Sequence, residues 1–571
     1  MTAGLARRLL PFLNWPHADA KTLTQDLLAG LAVSLLAIPQ SLAYAQLAGV
    51  PAYYGLYAAF IPSIVGILFG SSAILSTGPV ALTSLLTAAS VGHIAAPGTA
   101  EFFSYVTLLA LLSGVFQIGL GMARAGVLLN LLSHPVLMGF INASALVIAL
   151  SQLPALTGIS VPRTDSFMLD VGHLLASASA GNAHAMSLAA GVLAVAMLYA
   201  FKRMAPRLPG VLIMVVLLTS LSYASGFAQH GGQVIGAIPA GMPSISVPAV
   251  SWDATVALLP AALVIALVSF TEAMSSCKVI AVKTRTRWDE NQELIGQGMA
   301  KVVAAFCNSM PVSGSFSRSA LNLASNARTG LSGLFSAGFV LLTLVFFTPL
   351  LYHLPKPALA AMILMAVVNL IDLVSMRSAW LANRDDGIAS VLTFVATLAF
   401  APNIQNGILV GILFSLGAFI YRRMAPPIVL VGFHEDGTLR DAQTYHLPSL
   451  PKTIAAMRFD AALFFANASF FEDAVLRMQR DNPELKYILV DAHGINMLDA
   501  SGVEMLRSLS RHLREGGITL VFSGAKRRVL DVVERTGLMK EIGAANFFDS
   551  DGMALRALLG DDRPPGVPAK H

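Results

Sequence analysis

Cysteine is almost missing from these 571 residues: only Cys277 and Cys307 occur, both inside apolar stretches. A disulfide framework and a cysteine-rich metal site are therefore excluded. Charge is scarce as well. Charged residues make up 12% of the chain and hydrophobic ones 55%, whereas a soluble domain carries about 25% charge. An ordinary soluble enzyme is ruled out, and the bilayer becomes the main solvent. Neither a G-x-x-x-x-G-K-[ST] loop nor an H-E-x-x-H or Cys/His metal spacing occurs. No enzymatic activity, metal or organic cofactor is expected, and any uphill transport would draw on a gradient of substrate, protons or sodium.

Apolar runs long enough for a helical span recur between residue 26 and Tyr421. The clearest are Phe102 to Met122, Met186 to Phe201, Val211 to Phe227, Ala254 to Ser276, Leu331 to Tyr352 and Ile388 to Ala401. Others are shorter or interrupted, as at Ile38-Pro39-Gln40, and the pattern predicts about fourteen spans, several of half length. Arg7 and Arg8 precede Leu9, Leu10, Phe12 and Trp15 without the long apolar core of a secretory signal, so residues 1–25 read as a cytoplasmic interfacial segment.

The net charge of +5 is explained by where the cations lie. With the N-terminus inside, Arg124, Lys202, Arg203, Arg207, Lys278, Lys283, Arg285, Arg287, Arg328, Arg377, Arg384, Arg422 and Arg423 fall on one side, leaving mainly Arg163 and Lys356 opposite. Both termini are thus expected in the cytoplasm, with no nucleic-acid partner. The transmembrane domain is placed at 26–424. From Pro426-Pro427 charged residues become frequent, and residues 425–560 read as a small α/β domain. Its strand-like runs are Ile428 to Phe433, Ala462 to Ala466, Tyr487 to Val490 and Ile518 to Phe522; its helical segments are Glu472 to Arg480, Ser501 to Arg514 and Lys526 to Thr536. The proline-containing tail 561–571 is expected to be disordered.

Aligning Gly78 with Gly314 pairs Ser76-Thr77-Gly78-Pro79-Val80-Ala81 with Val312-Ser313-Gly314-Ser315-Phe316-Ser317, each preceding a short helical stretch. Inverted-repeat transporters place such interrupted helices at matching positions of their halves. Their N-termini would meet near the midplane and present unpaired N–H groups to an anion. Arg318, one turn into the second helix, would add a guanidinium; Gln40, Thr77, Ser315 and Ser317 could replace hydration. The alternative for Arg318 is an interfacial position or a permanent carboxylate partner. Glu272, deep in an apolar run, is a natural proton carrier, or else a fixed structural partner of Arg318 or Lys301. Asp372 reads as a helix-end residue.

Ala37-Ile38-Pro39-Gln40-Ser41-Leu42-Ala43-Tyr44-Ala45, Leu56-Tyr57-Ala58, Leu75-Ser76-Thr77-Gly78-Pro79, Asn291-Gln292-Glu293-Leu294-Ile295-Gly296-Gln297-Gly298 and Gly314-Ser315-Phe316-Ser317-Arg318-Ser319 together resemble the SulP family of sulfate-permease anion transporters. Ile488-Leu489-Val490-Asp491 and Leu498-Asp499-Ala500-Ser501-Gly502-Val503 resemble its cytoplasmic STAS domain. The resemblance implies core and gate domains built from two inverted halves of about seven helices each, a homodimer, and a site in a plasma (inner) membrane protein. It implies substrate contacts from Gln40, Tyr44, Thr77, Gly78, Val80, Gly314, Ser315, Phe316, Ser317 and Arg318, with Glu272 coupling protons. Proton-coupled sulfate symport is the expected activity. Bicarbonate, chloride or dicarboxylate carriage by sodium symport or exchange, and an anion channel or sensor, are the alternatives. Ser501 matches a phosphorylated position of related anti-sigma factor antagonists, the alternative being that Asp499 or Ser501 caps its helix.

Overall fold

The computed structural model describes residues 10–15, 19–126, 132–159, 167–205, 208–239, 241–368, 370–434, 438–448 and 450–559. Arg7, Arg8, Leu9, Arg163, Arg207 and the tail 561–571 lie outside the described residues. The chain divides into two compact units, residues 1–415 and 416–571.

The first unit is helical. Among the described residues, helices long and apolar enough to cross a membrane are Ala20–Leu47, Ala100–Met122, His134–Thr157, Ala185–Met204, Trp252–Thr284, Leu331–Leu351 and Gln405–Met424, while Lys356–Val368 and Leu373–Ala382 are two shorter helices. Tyr53–Phe69, Ala81–Gly92 and Gly210–Ala224 are apolar but shorter. The expectation of about fourteen spans includes helices that length alone does not assign to the bilayer. Large apolar side chains such as Leu188, Val192, Val216, Leu217 and Leu221 lie exposed along these helices. In water such a surface would drive association; in hydrocarbon it is the correct surface.

Backbone contact substitutes for hydrophobic force where two helices meet inside lipid. Gly114 of the Ala100–Met122 helix and Gly298 of the Glu290–Phe306 helix face each other reciprocally. A Cβ on Gly114 would stand 2.7 Å from the Gly298 carbonyl oxygen, and one on Gly298 would stand 2.7 Å from that of Gly114. The short helices have another logic. Ala81–Gly92 and Phe316–Ala324 each follow a two-residue strand, β1 (Thr77–Gly78) and β2 (Ser313–Gly314). These strands pair antiparallel, Thr77 opposite Gly314 and Gly78 opposite Ser313, so the segments aligned in the sequence touch in space.

The second unit carries a six-stranded sheet ordered β4-β3-β5-β6-β7-β8, in which β3 is Ile428–Phe433, β4 Leu439–Asp441, β5 Ile454–Phe459, β6 Tyr487–Asp491, β7 Thr519–Ser523 and β8 Phe547–Phe548. β5 through β8 are parallel, whereas β3 pairs antiparallel with β4 and β5. Helices Ala468–Asp481, Ala500–Glu515 and Arg527–Arg535 cover the sheet. One expected strand is corrected: Ala462 to Ala466 forms a turn, with only an isolated bridge from Leu463 to Leu498. The cause is Asn467, fully buried, whose side chain accepts from the Phe464 N–H at 2.9 Å and donates to the Ala462 carbonyl at 2.8 Å. The strand in that region is β5, whose Ala455-Ala456 pair has weak intrinsic strand preference.

Candidate anion site

The two short helices begin where β1 and β2 cross. Val80 is the N-cap of the first and contributes no side-chain cap, while Ser315 caps the second, its hydroxyl accepting from the Arg318 N–H at 3.4 Å. The first-turn N–H groups of each helix lack intrahelical acceptors and carry partial positive charge. The crossing is locked by reciprocal hydrogen bonds. Ser315 N–H donates to the Ser76 carbonyl at 2.8 Å, the Ser319 hydroxyl accepts from Ser76 N–H at 2.9 Å, and Asn322 donates to the Ile74 carbonyl at 3.0 Å. Thr77 is held on both sides, its hydroxyl accepting from Gln297 at 2.8 Å and its carbonyl from Ser63 at 2.8 Å.

Arg318 is 1% exposed. Its Nη1 donates to the Pro79 carbonyl at 2.8 Å and its Nε reaches the Ser76 hydroxyl at 3.4 Å, so one guanidinium bridges the starts of both half-helices. Among the described residues Nη2 has no hydrogen-bond partner, and Arg318 forms no ion pair with a carboxylate. Burial and the lack of a described carboxylate contact set this guanidinium apart from a surface or ion-paired arginine. Gly78 makes the room: a Cβ there would come within 3.0 Å of Nη2.

Glu272 belongs to the Trp252–Thr284 helix, which packs on β2, with a Cβ on Gly314 standing only 2.9 Å from that of Ala273. Glu272 Oε2 is buried without a hydrogen-bond partner among the described residues. Arg318 and Lys301 both act on it electrostatically, and neither forms an ion pair with it among the described residues. Tyr44, buried one turn beyond Gln40 on the Ala20–Leu47 helix, lies in the field of both Arg318 and Glu272. Gln40 Oε1 is also without a partner. Val80, Gly314 and Ser315 are buried, whereas Ser317 and Phe316 are exposed. Orphaned buried polar atoms are costly unless a ligand or water completes them, and three of them, on Arg318, Glu272 and Gln40, come from elements that converge here.

Two groups have no site role in the sequence, Glu293 standing only within a motif and Lys301 only as a possible partner of Glu272. Glu293, 1% exposed, accepts from Ser71 and Ser72 N–H at 2.8 and 3.0 Å and from Gln297 at 3.0 Å. It is a structural tie behind Thr77. Lys301, fully buried, donates to Gln117 Oε1 at 2.8 Å; a cation this far inside an apolar helix pair was the available signal. A cavity of about 530 Å³ lies elsewhere in this unit, between Trp15, Ser71, Ile280, Arg287, Trp288 and Arg328. Its lining does not include Arg318, Glu272 or Tyr44.

In the second unit, Asp499 caps the Ala500–Glu515 helix, accepting from Gly502 N–H at 2.8 Å and from Phe465 N–H at 2.9 Å. Ser501 sits exposed in the first turn and makes no cap. Asp372 likewise is a helix cap, accepting from Ser375 N–H at 2.9 Å. Asp491, His493 and Asp551 bring possible ligand atoms within 4.8 Å of one another. His493 Nδ1 lies 2.7 Å from Asp491 Oδ1, and the Ser523 hydroxyl donates to Asp551 at 2.6 Å, so these residues tie the strand ends together.

Membrane helices, paired half-helix ends and a buried unpaired guanidinium define the class as a membrane anion transporter. Comparison with known proteins gives the family. The sulfate permease family model matches residues 23–393 and the STAS domain model residues 448–554. The chain is 33% identical to the probable sulfate transporter 4.2 of Arabidopsis thaliana over 92% of its own length and 79% of that protein. It is 31% identical to a probable sulfate transporter of Mycobacterium tuberculosis over 97% of its length and 98% of that protein. The chain belongs to the sulfate permease family. Its fold is similar to that of the murine Solute Carrier 26 family member A9 anion transporter in the inward-facing state, with TM-score 0.88 at 22% identity over 97% of this chain and 95% of that one. The transmembrane domain of a cyanobacterial bicarbonate transporter, BicA, is similar at TM-score 0.58 and 22% identity, over 70% of this chain and 99% of that one.

Proposed function

We propose that this anion transporter is a proton-coupled sulfate symporter that works by alternating access. The observation carrying the reading is Arg318: a 1%-exposed guanidinium without a carboxylate partner, placed where two helix N-termini meet. Such a buried cation requires an anion, and the sulfate transporters to which the chain is similar supply the choice. The oxyanion would accept from first-turn N–H groups of Ala81–Gly92 and Phe316–Ala324, from Arg318 Nη2, and from Ser317 and Tyr44. These donors replace hydration without reorganising, because the strand crossing already fixes them.

A proton on Glu272 would remove a negative charge facing the anion, so proton and anion would favour each other's binding. Movement of the half-helix pair relative to the rest of the unit would then expose the loaded site to the other face. A homodimer in a plasma or inner membrane with both termini cytoplasmic completes the reading. The test is uptake of labelled sulfate by proteoliposomes. An inward proton gradient should accelerate uptake, and a protonophore should abolish the acceleration. Saturable uptake indifferent to pH would reject proton coupling, and non-saturating current would reject a carrier.

A further inference from the structure

Lys301 is the buried charge that the anion site leaves unexplained. It lies on Glu290–Phe306 with no exposed surface, one hydrogen bond to Gln117, and no ion pair among the described residues. Gln117 is itself fixed, donating to the Ala266 carbonyl at 2.8 Å and the Ser269 hydroxyl at 3.1 Å. The Ser269 carbonyl in turn accepts from Ser313 of β2 at 2.8 Å. A tethered cation thus sits directly behind the strand crossing, and Glu272 lies one turn along from Ser269.

The charged and titratable groups around it are few. Trp252–Thr284 contributes Glu272, which faces Lys301 directly; Arg318 of Phe316–Ala324 acts on Glu272 in turn, and Tyr44 of Ala20–Leu47 lies beside Arg318 and Glu272. Ala100–Met122 contributes Gln117 at this level, and Ile61–Phe69 has no titratable residue. Glu293 shares the helix of Lys301, but its carboxylate is occupied by Ser71, Ser72 and Gln297. Arg318 and Lys301 therefore stand against Glu272 alone. With Glu272 protonated and the Lys301 amine charged, the surroundings hold two positive charges and match a divalent anion; with Glu272 ionised, they hold one and match a monovalent anion.

We propose that Lys301 is a specificity-determining residue, its ammonium supplying the second positive charge that makes the site favour a divalent oxyanion whenever Glu272 carries a proton. This rests on the anion-transport reading of the same site. It makes Lys301 a positioning charge rather than a contact to substrate, and it ties selectivity to pH.

The experiment is competition of unlabelled sulfate and chloride against labelled sulfate in proteoliposomes of the full-length protein at several pH values. In the wild type the preference for sulfate over chloride should fall as pH rises; a ratio independent of pH overturns the proposal. Lys301→Met keeps the length of the side chain without its charge. It should lower the sulfate preference by roughly tenfold or more and displace the pH profile of uptake, because Glu272 has lost a neighbouring cation. Lys301→Arg should retain both properties. Gln117→Leu, which removes the tether but keeps the charge, should leave the preference near wild type. An unmoved ratio in Lys301→Met, or an equal loss in Gln117→Leu, assigns Lys301 to packing alone and overturns the proposal. Wild-type liposomes that take up no anion would instead refute the transport reading itself.

Discussion

Replacing Arg318 by Met tests the centre of the site. The guanidinium gives Nη1 to the Pro79 carbonyl at 2.8 Å and leaves Nη2 unpartnered beside Gly78. Met retains the apolar stem and removes a charge-assisted donor, worth about 1.5–3 kcal/mol to a bound anion. Sulfate affinity should therefore fall roughly 10- to 150-fold. The same change strands the buried Pro79 carbonyl, at a cost of about 1–3 kcal/mol in stability. The two losses can be read separately, by isothermal titration of the detergent-solubilised protein with sulfate and by thermal unfolding without ligand. Arg318→Lys keeps the charge, but a single ammonium cannot serve the Pro79 carbonyl and the anion in the same planar geometry, so its affinity should fall between wild type and Arg318→Met. Binding by Arg318→Met within twofold of wild type would show that the guanidinium staples the crossing without meeting the anion.

Glu272→Gln imitates the protonated carboxylate, so sulfate uptake should persist and lose its decline with rising pH; a retained wild-type pH profile would acquit Glu272. Gly298→Val puts a branched side chain where a Cβ would already stand 2.7 Å from the Gly114 carbonyl oxygen. It should cost about 1–3 kcal/mol or more through overpacking, read as a lower melting temperature in detergent, and an unchanged melt would mean that the two helices separate freely. Asp499→Ala should destabilise the second unit by about 1 kcal/mol through the lost cap, whereas Ser501→Ala should leave chemical denaturation unchanged. Equal effects of the two would contradict the cap assignment.

The apolar spans were legible because their length follows from bilayer thickness. The runs beginning at Phe102, Met186, Val211, Ala254 and Leu331 each fall on an observed helix. Ile428 to Phe433, rich in branched residues, is β3 as expected. The alanine-rich β5 was illegible because its strand state derives from parallel pairing with β6, which no local pattern encodes. Asn467 worked in the opposite sense, folding an apolar run into a turn through hydrogen bonds visible only in three dimensions.

By itself, the sequence determined that the chain lives in lipid, that it ends in an α/β domain, and that Gly78 and Gly314 mark matched interruptions. These follow from composition, run length and local chemistry, all of which act over a few turns of chain. Only the tertiary structure decided that Thr77 lies opposite Gly314, that Arg318 bridges both half-helix starts without an acidic partner, and that Lys301 is tethered by Gln117 behind them. Pairing groups more than 180 positions apart is a matter of which backbones can approach, and small residues at the crossings set that distance.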